Sequence, residues 1–600
     1  MTGSSSASTE RLARLRAELA RREIDGFIVP RSDEHQGEYV AQRSERLAWL
    51  TGFTGSAGLA VVLADAAAVF IDGRYTLQAE AEVDGDLFER RHLIEEPATD
   101  WVAEHLGGGA KLGYDPWLLT PGQVTRYRAA CRKAGTELTA LDSNPLDAVW
   151  DDQPAPPTAP VTGLDVAFAG EAAADKRRRI AGELSDAGAD AAVLAAPDSI
   201  CWLLNVRGAD VPYTPFALSF AVLHADGAMD WFIDPAKLPP DVKAGLGARV
   251  RVLPPDGLGE VLDELGGAQK TVRVDPAGVP SWIFHRLEKA GASLERGADP
   301  CQLPKARKNP VQLDGMRAAH RRDGRAVVRF LAWLEDAARS GTLTEMQAGD
   351  HLEALRRENN HFQGLSFPTI SGSGPNGAIV HYRVSEATDR MLGQGELFLV
   401  DSGAQYLDGT TDITRTIAIG DPAPEMRRHY TLVLKGHIQL AEARFPKGTS
   451  GSQLDILARQ ALWAAGLDYD HGTGHGVGSF LSVHEGPHRI TKAPNTVALE
   501  PGMVVSNEPG YYRTGEYGIR IENLVAVTEL DRPAGAEADV FGFETLTLAP
   551  LDRRLIDTDL LGAGEIDWID AYHARVAETL AGDLDAAAAG WLDQATAPLG

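Results

Sequence analysis

Leu12, Leu15 and Leu19 recur at helical spacing, and the apolar run at 26–30 that follows them reads as a buried strand. Beyond it come a Leu-Ala-Trp-Leu element at 47–50, a Gly-rich stretch at 51–58 and apolar runs that end at Phe70-Ile71-Asp72. The same order then returns. Ile180 and Leu184 mark a helix, 191–196 a strand and 201–204 a Cys-Trp-Leu-Leu element, followed by a Gly/Pro loop and runs that end at Phe232-Ile233-Asp234. Helix, strand, Trp-Leu element and β-meander are shared at an offset of about 160 residues, so two copies of one α/β unit are expected. The stretch 151–160, DDQPAPPTAP, is Pro-rich and reads as the linker between them.

Asn309-Pro310 opens a long helix predicted to run to about residue 339, with Pro in the first turn and Met316, Val327, Phe330 and Leu331 facing a core. Helix and strand alternate from there to about residue 550. In the tail, Trp568, Tyr572, Val576 and Leu580 fall on one helical stripe, which predicts a packed helix. The apolar stretch 57–70 is short and interrupted by Asp65, so it reads as a buried strand pair and not a membrane span.

A length of 600 residues exceeds what one core supports and implies several domains. The formal net charge of −27 excludes the basic footprint that nucleic-acid binding needs, and is the charge of a solvated surface. The first residues, MTGSSSASTE, show neither a basic n-region nor an apolar h-region, so no secretory signal is expected. Cys131, Cys201 and Cys301 are widely spaced and odd in number, which argues against a disulfide framework and for a reducing cytoplasm.

The chemistry gathers between 401 and 522. The apolar run from Glu396 ends on the carboxylate Asp401, and Asp408-Gly409 makes a turn before Asp412, so Asp401 and Asp412 belong to the open end of one hairpin. Two carboxylates that close repel unless a cation or proton lies between them. His471-Gly-Thr-Gly-His475-Gly-Val-Gly478 has Gly at half its positions, a density that permits close backbone approach and unusual dihedrals. Glu508 closes the run Met503–Asn507 ahead of a Pro-Gly turn. The run 518–525 alternates so that Arg520 and Glu522 share one strand face, while Ile519 and Ile521 point into apolar packing. Asp401, Asp412, His475, Glu508 and Glu522 form an oxygen-rich donor set suited to Mn²⁺-like ions, and four carboxylates balance two divalent cations.

Two motif matches fail on physical grounds. His484-Glu-Gly-Pro-His488 fits HExxH, but Gly486-Pro487 would break the helix that must carry both histidines. Gly372–Gly377 fits GxGxxG, but Pro375 is unfavourable and a strand at 379–382, not a helix, is expected to follow.

The runs HGTGHGVGSFLSVHEGP (471–487), NEPGYY (507–512) and GIRIEN (518–523) resemble the Xaa-Pro aminopeptidases in their long three-domain form. The resemblance extends through HQGEYVAQRSERLAWLTGFTGSAG (35–58), DGRYTLQA (72–79), FETLTLAP (543–550) and DWIDAYH (567–573). It implies an α/β (α+β) architecture: creatinase-like domains at 8–150 and 161–303, a pita-bread metallopeptidase domain at 309–540 and a C-terminal helical extension at 541–600. By the same resemblance Asp401 serves one metal, His475 and Glu508 the other, and Asp412 and Glu522 bridge. The implied ions are two Mn²⁺, with Zn²⁺ or Co²⁺ as alternatives, and the implied nucleophile is a hydroxide shared between them. Glu508 is implied as the proton carrier, His381, His471 and His484 as substrate-side histidines, and Arg520 and Tyr512 as groups that orient ligand carboxylates. The implied substrates are peptides with proline in second place, cut before that proline by a cytoplasmic homodimer. A prolidase and a non-catalytic pita-bread binding protein are the competing readings.

Overall fold

Leu12, Leu15 and Leu19 lie buried along the helix Thr2–Arg21, which leads into the fully buried strand Gly26–Pro30 as the spacing predicts. The computed structural model describes residues 2–599 and resolves into two units. One comprises the chain to Leu164 together with Glu171–Gln302, and the other Asp165–Gly170 with the chain from Leu303 onward.

The first unit contains two six-stranded sheets. The first runs Glu89–His92, Ala67–Ile71, Gly58–Leu63, Gly26–Pro30, Lys111–Tyr114, Glu137–Ala140; the second runs Val250–Leu253, Met229–Phe232, Phe220–His224, Ala191–Leu194, Thr271–Val274, Ser293–Arg296. Position by position, the same neighbours pair in the same sense, two antiparallel contacts and three parallel ones in each sheet. The repeat read from the apolar pattern is therefore a repeat of topology. The Trp-Leu elements match too, as the helices Arg46–Thr51 and Pro197–Leu204. The run at 57–70 is the antiparallel pair Gly58–Leu63 and Ala67–Ile71, and no helix among the described residues is long and apolar enough to cross a membrane.

The second unit opens with the helix Pro310–Ala337. The Asn309 side chain accepts from Gln312 N at 3.0 Å and the Gln312 side chain accepts from Asn309 N at 3.2 Å, a reciprocal cap worth about 1 kcal/mol. Met316, Val327, Phe330 and Leu331 are buried as their spacing predicts. Ile370–Ser373, Glu396–Ser402 and Ile413–Ile419 form one sheet; a six-stranded sheet runs Phe445–Pro446, Val540–Thr545, Asn523–Leu530, Val504–Asn507, Gly474–Gly476, Glu485–Ile490. The tail stripe is real: in the helix Ala563–Leu580, Tyr572, Val576 and Leu580 are buried and Trp568 half-buried.

Two local expectations are corrected. Residues 518–525 do not form one strand. Tyr517–Arg520 pairs with Gly510–Arg513, whereas Asn523–Leu530 joins the six-stranded sheet, and Ile521-Glu522 spans the break. There the backbone leaves the ladder for other acceptors: Ile521 N donates to Pro509 O and Glu522 N to Thr414 O, each at 3.2 Å. Nor is 379–382 a strand. It follows the 3-10 turn Gly374–Ala378 as a further turn, because Asn376 and Tyr382 both reach back to the buried Glu345 carboxylate, at 3.0 and 2.9 Å.

Candidate metal centre

Register brings the hairpin carboxylates together. Asp401 pairs with Thr414 across Glu396–Ser402 and Ile413–Ile419, and Asp412 lies just before the second strand. His475 sits in Gly474–Gly476, and Glu508 follows Val504–Asn507, its N–H donating to Thr473 O at 2.8 Å. A Cβ at Gly474 would overlap Ser506 O, so close approach requires glycine there. None of the four glycines in this segment has positive φ, so the left-handed conformations that such a Gly density permits are not used here. It uses glycine for room alone.

One donor atom each from Asp412, His475 and Glu522 lies within 4.8 Å of the other two. His475 Nε2 stands 3.4 Å from Asp412 Oδ2 and 3.5 Å from Glu508 Oε1. Its Nδ1 is 3.0 Å from Gly476 O, and a carbonyl only accepts, so Nδ1 carries a proton and Nε2 faces the carboxylates. Burial disfavours charge on this ring, but the hydrogen bond to Asp412 and the nearby Glu508 outweigh it and push its pKa up to about 9. A proton or a metal ion at Nε2 answers the same electrostatic demand.

The carboxylates show that demand directly. Burial raises Asp401 to about 7, with Arg520 opposing and Asp412 reinforcing the shift. Glu508 is raised by burial against the pull of His475 and Arg520, and Glu522 is raised well above its ordinary value by burial and by Asp412, Asp401 and Glu508. Asp401 Oδ1 is buried with no hydrogen-bond partner. One guanidinium and one imidazole among four carboxylates, three buried and Glu508 half-buried, leave a deficit of positive charge that divalent cations would fill, and the donor types suit them.

A hydrogen-bonded chain surrounds the set. Arg520 Nη2 donates to Asp401 Oδ2 at 2.7 Å, Nε to Thr414 Oγ1 at 3.2 Å and Nη1 to Tyr512 OH at 2.5 Å. Thr414 Oγ1 in turn donates to Glu522 Oε2 at 2.7 Å. Tyr512 OH lies 2.8 Å from His471 Nε2, whose Nδ1 is 2.7 Å from Gly472 O, so the phenol donates and Nε2 accepts. Arg520 thus reaches the Asp401 carboxylate directly, whereas Tyr512 does so through Arg520. The His484 ring stands edge-on to His475, centroids 4.3 Å apart. His381 lies half-buried in the turn after Gly374–Ala378; that turn packs on the strand carrying Arg520, where a Cβ at Gly518 would overlap Gly377 O.

The rejected HExxH match stays rejected. Glu485–Ile490 is a strand, the Glu485 carboxylate is held by the buried Lys305 (2.8 Å) and Lys308, and His488 Nε2 donates to Val504 O at 2.8 Å. A cavity of about 260 Å³ lined by Leu331, Ile417, Leu551 and Trp591 contains none of the ligand set.

Comparison with known proteins identifies the family. Residues 314–529 match metallopeptidase family M24, 539–599 the C-terminal region of peptidase M24, and 11–147 and 152–312 creatinase/prolidase N-terminal domains. A probable Xaa-Pro aminopeptidase P of Tuber melanosporum is 41% identical over 628 residues, covering 99% of each chain. The chain belongs to the Xaa-Pro aminopeptidase P group of M24 metallopeptidases. As a member of that family it is a hydrolase with creatinase-type N-terminal domains ahead of the metallopeptidase fold. Aminopeptidase P1 of Lotus japonicus is 38% identical, covering 96% of this chain and 97% of that one. The solved X-prolyl aminopeptidase of Caenorhabditis elegans, described as a cytosolic enzyme with a di-nuclear active site, superposes with a TM-score of 0.94 at 35% identity over 99% of this chain and 100% of that chain.

Sequence reasoning missed Thr414, which joins Arg520 to Glu522. The signal was present: Asp412, just before the strand, and Thr414 and Thr416 on it alternate with apolar and basic residues, a polar face inside an apolar sheet. It also missed Arg459, which donates to His471 O at 2.8 Å and is ion-paired with Asp455.

Proposed function

We propose that the chain is a metal-dependent Xaa-Pro aminopeptidase, releasing the first residue from peptides with proline second. The observation that carries this reading is the cluster of the buried Asp401, Asp412 and Glu522 with the half-buried His475 and Glu508, Arg520 being bonded to Asp401, in a chain aligned end to end with proteins named for that activity. Two divalent ions, Mn²⁺ in our reading, would be held by these five residues, with Asp412 and Glu522 serving both. When bound, they supply Lewis acidity and make water a nucleophile at neutral pH.

The protein's own groups then do the following. Glu508, whose proton affinity is raised by burial, takes a proton from the attacking water and passes it to the departing proline nitrogen. His484 and His381 hold the scissile carbonyl oxygen and stabilise its developing charge. His471, fixed by Tyr512 and Arg459, stands on the substrate side of the site and orients Tyr512 there. Proline offers no N–H, so the pocket recognises ring shape. The four-part division at 8–150, 161–303, 309–540 and 541–600, a homodimer and a cytoplasmic location complete the proposal.

The test is cleavage of an Xaa-Pro-Pro tripeptide, an Xaa-Pro dipeptide and an Xaa-Ala-Pro control by Mn²⁺-reconstituted protein. Release of the first residue from the tripeptide and not from the control is expected. Dipeptide-only cleavage would make it a prolidase, and no cleavage a binding protein.

A further inference from the structure

Glu522 lies where no strand ladder holds it, and among the described residues its hydrogen bonds come from residues 414 and 415. Its N–H donates to Thr414 O, its carboxylate accepts from Thr414 Oγ1, and its carbonyl accepts from Arg415 Nη1 at 2.7 Å. Arg415 is buried and directs its whole fork at neutral oxygens. Nη1 also donates to Thr414 O (2.9 Å), Nη2 to Asn523 Oδ1 (2.9 Å), Ala549 O (2.8 Å) and Tyr572 OH (3.0 Å), and Nε to Pro550 O (3.0 Å). Buried guanidinium groups usually pair with a carboxylate. This one instead joins the backbone of Glu522 to three acceptors of the C-terminal extension. Tyr572, on Ala563–Leu580, completes the link by donating to Ala549 O at 2.8 Å.

The network continues toward a second ligand. Asn523 Nδ2 meets His437 Nε2 at 3.1 Å, and Asn507 Nδ2 donates to His437 O at 2.9 Å, one residue before Glu508. Burial holds His437 down at about 3, so it is a neutral acceptor here.

We infer that Arg415 is a positioning residue through which the C-terminal extension holds Glu522 in its ion-binding orientation, Tyr572 being the extension's contribution. The inference rests on the proposed two-ion site. An Arg415 that merely stapled the extension to the sheet would affect stability alone; a positioning residue also sets ion affinity, since partners behind metal ligands typically change it about 10- to 100-fold.

The experiment is calorimetric Mn²⁺ titration of full-length apo-protein, with apo-protein unfolding temperatures and kcat measured alongside. Wild type is compared with Arg415→Lys, Tyr572→Phe and Val576→Ala, the last a cavity on the same helix outside the network. Arg415→Lys is expected to weaken Mn²⁺ binding about 10- to 100-fold, Tyr572→Phe to weaken it less, and Val576→Ala to lower unfolding temperature without weakening it. Excess Mn²⁺ should restore kcat in Tyr572→Phe at unchanged KM. Wild-type affinity in both network variants, or an equal loss in Val576→Ala, overturns the inference. If Arg415→Lys fails to fold, Tyr572→Phe decides on the same criterion. Wild type that binds no Mn²⁺ sinks the functional reading and this one together; two-ion wild type with unchanged variants sinks this one alone.

Discussion

Replacing Glu485 with Gln removes the charge that the buried ammonium groups of Lys305 and Lys308 share. Burial alone would raise the Glu485 pKa, but the two lysines outweigh it and hold it at about 2, against an ordinary 4.5. A folded-state pKa below the unfolded one gives stability that is complete above the unfolded value and is lost as pH falls through the folded value. The depression is worth about 3 kcal/mol at about 1.4 kcal/mol per tenfold change, at the lower end of the cost of removing one partner from a buried pair. In a unit of roughly 300 residues, with about 2.1 cal/mol/K of unfolding entropy per residue, Glu485→Gln should lower the unfolding temperature by about 5 °C at pH 7.

The pH dependence makes the reasoning sharper. By pH 3 the wild-type advantage should shrink to about 1.4 kcal/mol, because Glu485 is then largely protonated in the unfolded chain and partly so on approach to 2 in the folded one. His488, on the same strand, loses its contribution in a higher window: burial and Lys308 hold it down at about 4, so its stability is lost between 6.5 and 4. Differential scanning calorimetry of both proteins across pH 3–7 reads the gap. A gap under about 1 °C at pH 7, against the expected 5 °C, or one that widens with acid, would refute the account.

Three further outcomes follow from the site. Asp412→Ala or Glu522→Ala should lower kcat at least about 10³-fold and reduce bound metal, because in the proposed site each would serve both ions and supply several kcal/mol of charge stabilisation; normal turnover with two ions bound would refute the bridging role. His484→Ala should lower kcat about 10²- to 10³-fold, as loss of one donor to a developing oxyanion does, with metal content by elemental analysis unchanged; lost metal would make it a ligand instead. Chelation should abolish activity and reduce stability by about 2.7 kcal/mol relative to protein at a hundredfold excess of ion over Kd, which thermal melts with and without EDTA would detect; chelator-insensitive activity would remove metal from the mechanism.

What could be read from the chain was whatever lay within one element. Asp401, Asp412 and Glu508 were visible because each ends or precedes a short apolar run, and the two N-terminal copies because their periodicities repeat in order. The break at Ile521-Glu522 was hidden because its cause is distant: the contact that fixes the Glu522 carboxylate comes from a residue 108 positions away. Lys305 and Lys308 look in sequence like a solvated approach to a helix, yet they are buried against Glu485, 180 and 177 positions on. Local pattern carries no information about which sheet a strand joins once it leaves its neighbour.

That break is also what lets one guanidinium serve three tasks. In a continuous strand, Arg520 and Glu522 would stand side by side on one face and pair with each other. With the strand broken, Thr414 lies between them, accepting from Arg520 and donating to Glu522. Arg520 is thereby free to bond Asp401 and to fix Tyr512, and through it His471. Arg520 is bonded to Asp401 and also acts on Glu508, and His475 faces Asp412 and Glu508. One guanidinium and one imidazole cannot balance four carboxylates, three of them buried, and divalent cations between them can.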